Sequence, residues 1–305
     1  MGLLVVGSVG LDTVATPFDK VEEALGGSAT YISLASSYFC APIDLVGIVG
    51  DDFPKQYVSL LEQHNVNLDG LQIIKEGKTF RWSAKYHYDL NVRDTLLTEL
   101  NVFENFDPII PEKLRKSKFV CLGNIDPILQ MRVLDQLSDS PFVVCDTMNY
   151  WIEGMKDELL KLLKRVKVLI INDSEARLLA HEANLIKAAK KIREMGPEIL
   201  IIKKGEHGAL LFTEDIVFSA PAYPLEMIND PTGAGDSFAG GFVGYLQRTQ
   251  DINSENLKCA VIYGSAMASF CVEKFSTKGL EELSYLRIQD RFREFMNLSR
   301  FDEQE

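Results

Sequence analysis

Residues 229–238, with the sequence NDPTGAGDSF, carry the most structural information in this chain. The two glycines, Gly233 and Gly235, permit backbone angles that expose successive N–H groups. Downstream, apolar residues recur at helical spacing at positions 238, 242, 245 and 246. A glycine turn that leads into a helix is an anion site, because the first N–H groups of a helix are unpaired and the helix dipole is positive there. The segment therefore predicts a phosphate-binding turn.

Asp236 lies at the mouth of this predicted anion site. A helix N-terminus stabilises the charged form of a carboxylate, so we expect Asp236 to be ionised at neutral pH. Beside a bound phosphoryl group it would accept a proton from an attacking hydroxyl, and phosphoryl transfer otherwise needs mainly positioning, charge neutralisation and a metal. The alternative is a simple helix cap with packing glycines, because short glycine motifs have many false positives.

Short apolar runs alternate with helical patterns along the rest of the chain. The apolar runs are 3–6, 43–49, 119–122, 142–145, 168–171 and 199–202. The helical patterns lie at 53–64, 128–137, 151–166 and 184–195. This alternation predicts an α/β fold with crossover units and a mostly parallel sheet. Ligands of such sheets bind beyond the carboxyl ends of the strands.

Residues 79–88 break this rhythm. Apolar and polar side chains alternate there with a period of two, which predicts a half-exposed antiparallel strand. A polar stretch follows through residue 105, so we interpret the region as a small β appendage, either a lid or a dimer surface. We expect a single domain over residues 1–305, with a lid built from about 11–20 and 72–101.

Charge and cysteine content exclude several classes of function. The 44 acidic and 32 basic residues give a net charge of −12, which disfavours binding to a nucleic acid polymer or an anionic membrane. The five cysteines are odd in number and none forms a Cys-x-x-Cys pair, which indicates free thiols in a cytoplasmic protein. The uncharged run 259–272 is too short to span a bilayer and predicts a buried helix.

Five ordered segments resemble the ribokinase-like (PfkB) carbohydrate kinase family over nearly the whole chain. They are Leu-Gly-Gly-Ser-Ala at 25–29, Val-Gly-x-x-Gly-x-Asp at 46–52, Asn-x-x-Glu at 172–175, Gly-x-x-Gly at 205–208 and Asp-Pro-Thr-Gly-Ala-Gly-Asp at 230–236. The resemblance implies a three-layer α/β/α core with a mostly parallel sheet and a small β-sheet lid. It also implies an ATP- and Mg²⁺-dependent kinase that phosphorylates a hydroxymethyl group of a sugar or ribonucleoside.

The resemblance assigns roles to individual residues. It makes Asp236 the catalytic base and forms the anion hole from Gly233, Ala234 and Gly235. It places substrate contacts at Asp12, Gly26 and Gly27, and Tyr31 and Asn149 are further candidate substrate contacts at positions where the sequence departs from the family. It places ATP contacts at Asn172, Gly205, Gly208, Thr232, Gly264 and Ala268, and the charge of Lys203 makes it a further candidate for ATP binding. Glu175 and Asn172 would organise magnesium through water.

Some of these assignments keep a structural alternative. Asn172 and Glu175 also suit a helix cap after a strand. Lys203 either neutralises phosphate or ends a strand in solvent, since the family usually has an uncharged residue there. The ring of Tyr31 would suit a nucleobase or a sugar ring, or the hydrophobic core. Core packing explains the composition around Gly264 equally well.

Two departures bear on the substrate, and two rival functions stay open. Tyr31 stands where many family members have asparagine, and residues 146–151 lack the arginine of the family's Asp-x-Asn-x-Arg. The usual sugar-phosphate contacts therefore cannot be transferred.

A pyridoxal-type vitamin kinase shares the fold but typically lacks the β lid. A catalytically silent sugar- or nucleotide-sensing protein is the other rival, although the intact Asp236 argues against it. The β appendage also makes a homodimer plausible.

Overall fold

The computed structural model of the protein describes residues 2–300. In chain order its strands are β1 (Leu3–Val6), β2 (Gly10–Ala15), β3 (Lys20–Gly26), β4 (Ile43–Gly50), β5 (Val66–Ile74), β6 (Phe80–Tyr86), β7 (Arg93–Glu99), β8 (Phe119–Leu122), β9 (Phe142–Asp146), β10 (Val168–Asn172), β11 (Ile199–Lys203), β12 (Ala209–Phe212) and β13 (Val217–Ala220). The helices are α1 (Ser28–Ser37), α2 (Lys55–Gln63), α3 (Pro127–Asp135), α4 (Asn149–Gly154), α5 (Lys156–Leu163), α6 (Asp173–Ala180), α7 (Leu185–Glu194), α8 (Ala234–Thr249), α9 (Ser254–Val272), α10 (Lys278–Glu281) and α11 (Tyr285–Leu298).

The large sheet has nine strands in the order β13-β12-β11-β10-β9-β8-β1-β4-β5. Every neighbouring pair from β11 to β5 is parallel, whereas β12 and β13 are added antiparallel at one edge. The predicted mostly parallel sheet is confirmed. Its parallel strands bring their carboxyl ends to one edge, where the chain leaves toward α6, α4 and the turns that follow β1, β8 and β11.

Helices cover both faces of this sheet. Along β1, Leu3 and Val5 point into one buried cluster, which includes Phe242 of α8. Leu4 points to the other face and joins a second cluster, with Leu162 of α5. A strand buried on both faces reads as a continuous apolar run, which explains why these strands could be located from sequence. The three-layer α/β/α core is confirmed.

The helical pattern predicted at 151–166 is interrupted in the structure. Here α4 ends at Gly154, and Met155 adopts the non-helical angles φ −137° and ψ 42° before α5 begins. Glycine is a poor helix former, so a break costs little at this point. The buried helix predicted at 259–272 is confirmed as the last part of α9. Among residues 2–300, no helix combines the length and the apolar character needed to cross a membrane.

A small sheet stands apart from the large one, with the strand order β3-β2-β6-β7. Pairing is antiparallel between β2 and β3 and between β6 and β7, but parallel between β2 and β6. The alternation predicted near residue 80 appears in β6, where Ala84 and Tyr86 are buried and Lys85 is exposed. Sequence analysis missed β3 as a member of this sheet, and residues 72–74 belong instead to β5 of the large sheet.

Candidate active site

The glycine turn lies at the N-terminus of α8. Gly233 has φ 75° and ψ 0° and precedes the first helical residue, Ala234. The Ala234 N–H donates to the Pro231 carbonyl at 3.2 Å, so it is engaged within the turn itself. Among residues 2–300, the N–H groups of Gly235 and Asp236 have no hydrogen-bond acceptor. The geometry thus supports an anion site. Its free donors are the N–H groups of Gly235 and Asp236, whereas sequence analysis included the N–H of Ala234.

Asp230 holds this turn in place through hydrogen bonds to its carboxylate. It is almost fully buried, its Oδ1 accepts the Thr232 N–H at 2.9 Å, and its Oδ2 accepts the Ser276 N–H at 3.0 Å. The Ser276 hydroxyl in turn donates to the Leu25 carbonyl at 2.6 Å. These bonds tie the glycine turn to the end of β3, just before the Gly-Gly pair. Sequence analysis gave Asp230 no role, although it opens the motif at 230–236.

Tyr31 supports the glycine turn from within the core. A Cβ atom built on Gly233 would lie 2.4 Å from Cε1 of Tyr31, so only glycine admits this packing. The Tyr31 side chain is 1% exposed, and its hydroxyl has no hydrogen-bond partner among residues 2–300. Burial raises the pKa of Tyr31 well above its usual value. The ring therefore belongs to the core and presents no open face to a nucleobase or sugar.

Asp12 closes the other side of the site against the Gly-Gly pair. A Cβ atom on Gly26 would lie 2.1 Å from Asp12 Oδ2, and the Gly27 N–H donates to the same carboxylate. Burial, reinforced by the negative charges of Asp230 and Asp236, raises the pKa of Asp12 to about 8. Asp12, Gly26 and Gly27, which sequence analysis proposed as substrate contacts, are thus brought together near Asp230 and Asp236.

Lys203 points into the site and not into solvent. Its backbone pairs with Asn172 across β10 and β11, and its Nζ lies 2.6 Å from where a Cβ on Gly235 would be. Burial by itself would lower the pKa of Lys203, but the nearby carboxylates of Asp146, Glu175 and Asp236 raise it. An ammonium group at the glycine turn suits a phosphate, so the geometry favours this role over the solvated strand end.

Asp236 is less acidic than the helix dipole alone would make it. Burial and the negative charge of Asp146 raise the pKa of Asp236 to about 7, while Lys203 and Arg93 act in the opposite direction. At neutral pH only part of Asp236 would then be ionised, less than the helix N-terminus alone predicts, because desolvation and a like charge oppose it. Asp146 was missed as a site residue, yet its position at the carboxyl end of β9 was a usable signal.

Asn172 and Glu175 form a capping box at the start of α6. Glu175 Oε2 accepts the Asn172 N–H, and Asn172 Oδ1 accepts the Glu175 N–H, both at 2.8 Å. The structural alternative for this pair is therefore confirmed. Glu175 Oε1 has no hydrogen-bond partner among residues 2–300, which leaves one oxygen for another ligand. Burial, and then the charge of Asp146, raise the pKa of Glu175 to about 7.

The β6–β7 hairpin reaches from the small sheet to the predicted nucleotide segments. The Tyr86 hydroxyl lies 3.2 Å from Thr232 Oγ1 in the glycine turn. At the hairpin tip, Asn91 Oδ1 lies 2.6 Å from where a Cβ on Gly205 would be. Arg93 is the cross-strand partner of Tyr86, and its guanidinium lies 5.5 Å from the centre of the Trp82 ring. Arg93 was missed, because only tertiary structure shows what a hairpin covers.

The remaining predicted residues lie less centrally. Gly208 joins the loop of Gly205 by accepting the Lys204 N–H at 2.7 Å. A Cβ on Gly264 would lie 2.8 Å from the Phe238 carbonyl oxygen, so this glycine permits close packing of α9 on α8. Ala268 is half-buried one turn further along α9, and Asn149 is exposed at the start of α4.

Comparisons with known proteins show the family of this chain. The family described as pfkB family carbohydrate kinases matches residues 4–282. A cytidine kinase from Thermococcus kodakarensis is 31% identical over 253 residues, which cover 81% of this chain and 89% of that protein.

Solved structures show the same fold. The nucleoside kinase of Methanocaldococcus jannaschii superposes with a TM-score of 0.77 at 20% identity, covering 96% of this chain and 99% of that one. An E. coli protein assigned as ribokinase II, in complex with ATP and Mg²⁺, gives a TM-score of 0.78 at 18% identity with the same coverage. With its sheet order and its five ordered motifs, the chain belongs to the pfkB family of carbohydrate kinases, and it is a phosphotransferase that acts on an alcohol group of a sugar or nucleoside.

Proposed function

We propose that this protein transfers the γ-phosphate of ATP to the hydroxymethyl group of a ribonucleoside. The observation that carries the proposal is the placement of Asp236 beside the free N–H groups at the start of α8, with Asp12 across the site. A base next to an anion hole is what phosphoryl transfer to an alcohol requires. The relatives named as cytidine and nucleoside kinases favour a nucleoside over a free sugar as acceptor.

In this proposal Asp236 takes the proton from the attacking hydroxymethyl group. The N–H groups of Gly235 and Asp236 hold the charge of the transferred phosphoryl group, and the Lys203 ammonium adds a positive charge at the same turn. Asp12, held over Gly26, offers its carboxyl group to the ribose hydroxyls. We assign Thr232, Gly205, Gly208 and Asn172 to the path of the nucleotide, as the family resemblance implies.

Magnesium fits the charge and the donor set of this site. The acidic residues around the turn outnumber the two cations, Lys203 and Arg93, so a polyphosphate needs further positive charge there. Among residues 2–300, no group of three or more His, Cys, Asp or Glu side chains could hold a metal directly. Magnesium keeps several of its waters, so the free Oε1 of Glu175 is a suitable outer partner, with Asn172 orienting that carboxylate. The metal would neutralise phosphate charge when bound.

The small sheet distinguishes the rival vitamin kinase from a nucleoside kinase. A pyridoxal-type enzyme typically lacks a β lid, whereas the β6–β7 hairpin is present here and contacts the glycine turn at Thr232. We propose that the small sheet covers the acceptor as a lid and excludes water from the transferred phosphoryl group. A protein that only senses nucleotides would not need a base held beside free N–H groups.

The proposed function is tested by ADP release from ATP and Mg²⁺ over a panel of acceptors. We expect turnover with at least one ribonucleoside and much weaker turnover with ribose, fructose and pyridoxal. Turnover with a free sugar alone would replace the nucleoside by that sugar. Tight nucleoside binding without ADP would support the silent sensing protein instead.

Replacing Arg93 by alanine is expected to lower kcat by about 10- to 100-fold with a smaller change in the nucleoside KM. Its charge opposes the rise in the pKa of both Tyr86 and Asp236, which places the guanidinium near enough to add positive charge to the transferred phosphoryl group. The measurement is steady-state kinetics with saturating ATP. Lys85→Ala is the matched control, because Lys85 is an exposed cation on β6 that neighbours Tyr86. Equal kcat for both variants would contradict the role of Arg93.

We also propose a homodimer through the outer edge of the small sheet. Strand β7 is exposed along its whole length, and its side chains Leu96 and Leu97 are 62% and 49% exposed. An open edge with apolar side chains invites pairing with a second copy. Sedimentation should show a dimer at micromolar concentration and a monomer for Leu97→Lys, whereas a monomeric wild type would contradict the interface.

The five free cysteines support the predicted cytoplasmic location.

A further inference from the structure

Asp52 connects the large sheet to the end of the β6–β7 hairpin that lies away from the glycine turn. It follows β4, at the last position of the segment 46–52, whose resemblance to the family carries no assigned role. Its Oδ1 accepts hydrogen bonds from the Thr79 N–H at 2.7 Å and from the Thr79 hydroxyl at 2.6 Å. Its Oδ2 accepts a bond from Arg81 Nη2 at 2.9 Å. We call Asp52, Thr79 and Arg81 the Asp52 node.

The residues of the Asp52 node form hydrogen bonds with several segments of the small sheet. Thr79 is fully buried, and its carbonyl accepts Asn101 Nδ2 at 3.0 Å, just after β7. Its hydroxyl oxygen also accepts the Gly50 N–H at 3.1 Å. Arg81 Nε donates to Glu23 Oε1 on β3 at 3.0 Å. Asp52 therefore holds the start of β6 directly, and through Thr79 and Arg81 it is linked to the end of β7 and to the edge strand β3.

The hairpin converts a small movement at this node into a larger one at the glycine turn. Strand β6 has seven residues, which at about 3.3 Å per residue span roughly 20 Å. A tilt of about 3° at Thr79 would then move the Tyr86 end by about 1 Å, and a misplacement of about 1 Å can cost roughly 100-fold in rate. Tyr86 and Arg93 both lie at that far end, where Tyr86 contacts Thr232.

We propose that Asp52 is a positioning residue, which fixes the root of the β6–β7 hairpin and thereby places Arg93 and Tyr86 over the phosphoryl-transfer site. The expected effect on kinetics rests on the proposed function, whereas the expected effect on the mobility of the hairpin does not. The Asp52 carboxylate accepts hydrogen bonds from both a buried threonine and an arginine, so it fixes the orientation of the start of β6 as well as its distance from β4. A single surface ion pair does not fix both.

The test compares Asp52→Asn with Asp51→Asn. Asparagine keeps the size of the side chain but removes the charge and one acceptor, so it cannot hold Thr79 and Arg81 as the carboxylate does. Asp51 is the matched control, because it is an exposed carboxylate in the same turn and its Oδ2 accepts only the Glu76 N–H, at 2.8 Å, outside the hairpin. Thr79→Val, which removes the hydroxyl donor at nearly constant volume, is the second variant should Asp52→Asn fail to fold.

Two measurements decide the outcome. Hydrogen exchange of the backbone amides at 80–99, without any ligand, should be faster by about tenfold or more in Asp52→Asn and unchanged in Asp51→Asn. The nucleoside KM should rise and kcat should fall, together by about 10- to 100-fold in kcat/KM, when both variants are assayed well below their melting temperatures. Exchange equal to that of the control would overturn the fixing of the hairpin, even if no nucleoside proved to be a substrate. Faster exchange with unchanged kinetics would overturn the positioning role while leaving the proposed kinase intact.

Discussion

Replacing Asp236 by alanine is expected to lower kcat by a factor between about 10² and 10⁴, because the variant has no group to accept the proton of the attacking hydroxyl. Substrate binding should change far less, since Lys203 and the N–H of Gly235 stay in place. Single-turnover phosphorylation of a nucleoside at saturating ATP measures the chemical step directly.

Asp173→Ala is the matched control for this variant. Asp173 is also a carboxylate in the first turn of a helix, α6, but it pairs with Arg177 at the surface. A normal rate in the control shows that the loss at Asp236 is chemical and not an effect of removing an acid from a helix N-terminus. Normal turnover by Asp236→Ala would mean that another group is the base.

The pKa of Asp236 gives the same prediction a pH dependence. Only the ionised carboxylate accepts a proton, and burial with Asp146 raises the pKa of Asp236 to about 7. We therefore expect kcat/KM to fall as the pH drops below about 7, and to level off above it. A base with an ordinary aspartate pKa would instead keep its activity down to about pH 4.

The raised pKa also affects stability, in the opposite direction. Between the ordinary aspartate value and about 7, the folded state binds a proton at Asp236 that the unfolded chain has released, so the free energy of unfolding falls as the pH rises. Asp236→Asn removes this titration. We expect it to be more stable than the wild type at pH 8, and this difference should shrink toward pH 4.

The second large effect is expected for Gly233→Ala. The new Cβ would lie 2.4 to 2.5 Å from three atoms of the Tyr31 ring, and the residue has φ 75°, a left-handed conformation that alanine adopts with strain. The ring is buried and cannot swing away. Overpacking of this kind costs about 1 to 3 kcal/mol, so the free energy of unfolding should drop by at least that amount. Turnover should fall by about 100-fold, because the N–H groups of the turn are displaced.

Gly235→Ala is the control within the same turn. Its Cβ would meet the Nζ of Lys203 at 2.6 Å, and the next neighbour, Lys203 Cε, lies 3.7 Å away. The end of a lysine side chain moves easily, so this variant should fold with a melting temperature near that of the wild type and show mainly a higher ATP KM. Urea unfolding and steady-state kinetics of both variants decide the matter. A stable and active Gly233→Ala would show that Tyr31 does not support the turn.

Much of the fold was predictable because both faces of the large sheet are buried. Strands such as β1 and β8 read as apolar runs with turn residues at their ends, so their bounds follow from residue type alone. The small sheet was harder to predict. Its strand β3 contains few apolar residues, and it pairs with β2 through contacts that hydrophobic periodicity does not encode.

The candidate site also has features that local sequence predicts and features that only tertiary structure sets. Local sequence indicated the glycine turn, the capping box of Asn172 and Glu175, and the glycines that admit Asp12, because each depends on the conformation of a few consecutive residues. Arg93 depends on where a hairpin folds, and that position is set at its root by Asp52. Charge effects between distant residues were likewise beyond sequence analysis.

The sequence by itself determined the sheet of parallel strands, the glycine turn at 230–236 that leads into α8 and the membership of a kinase family, since these follow from apolar runs, glycine positions and ordered motifs. Tertiary structure alone decided that Tyr31 lies in the core and that Asp146 raises the pKa of Asp236. It also decided that Arg93 lies near enough to Asp236 for its positive charge to oppose the rise in that pKa. The physical reason is that burial and Coulomb interactions depend on distances between residues far apart in the chain, which only packing establishes.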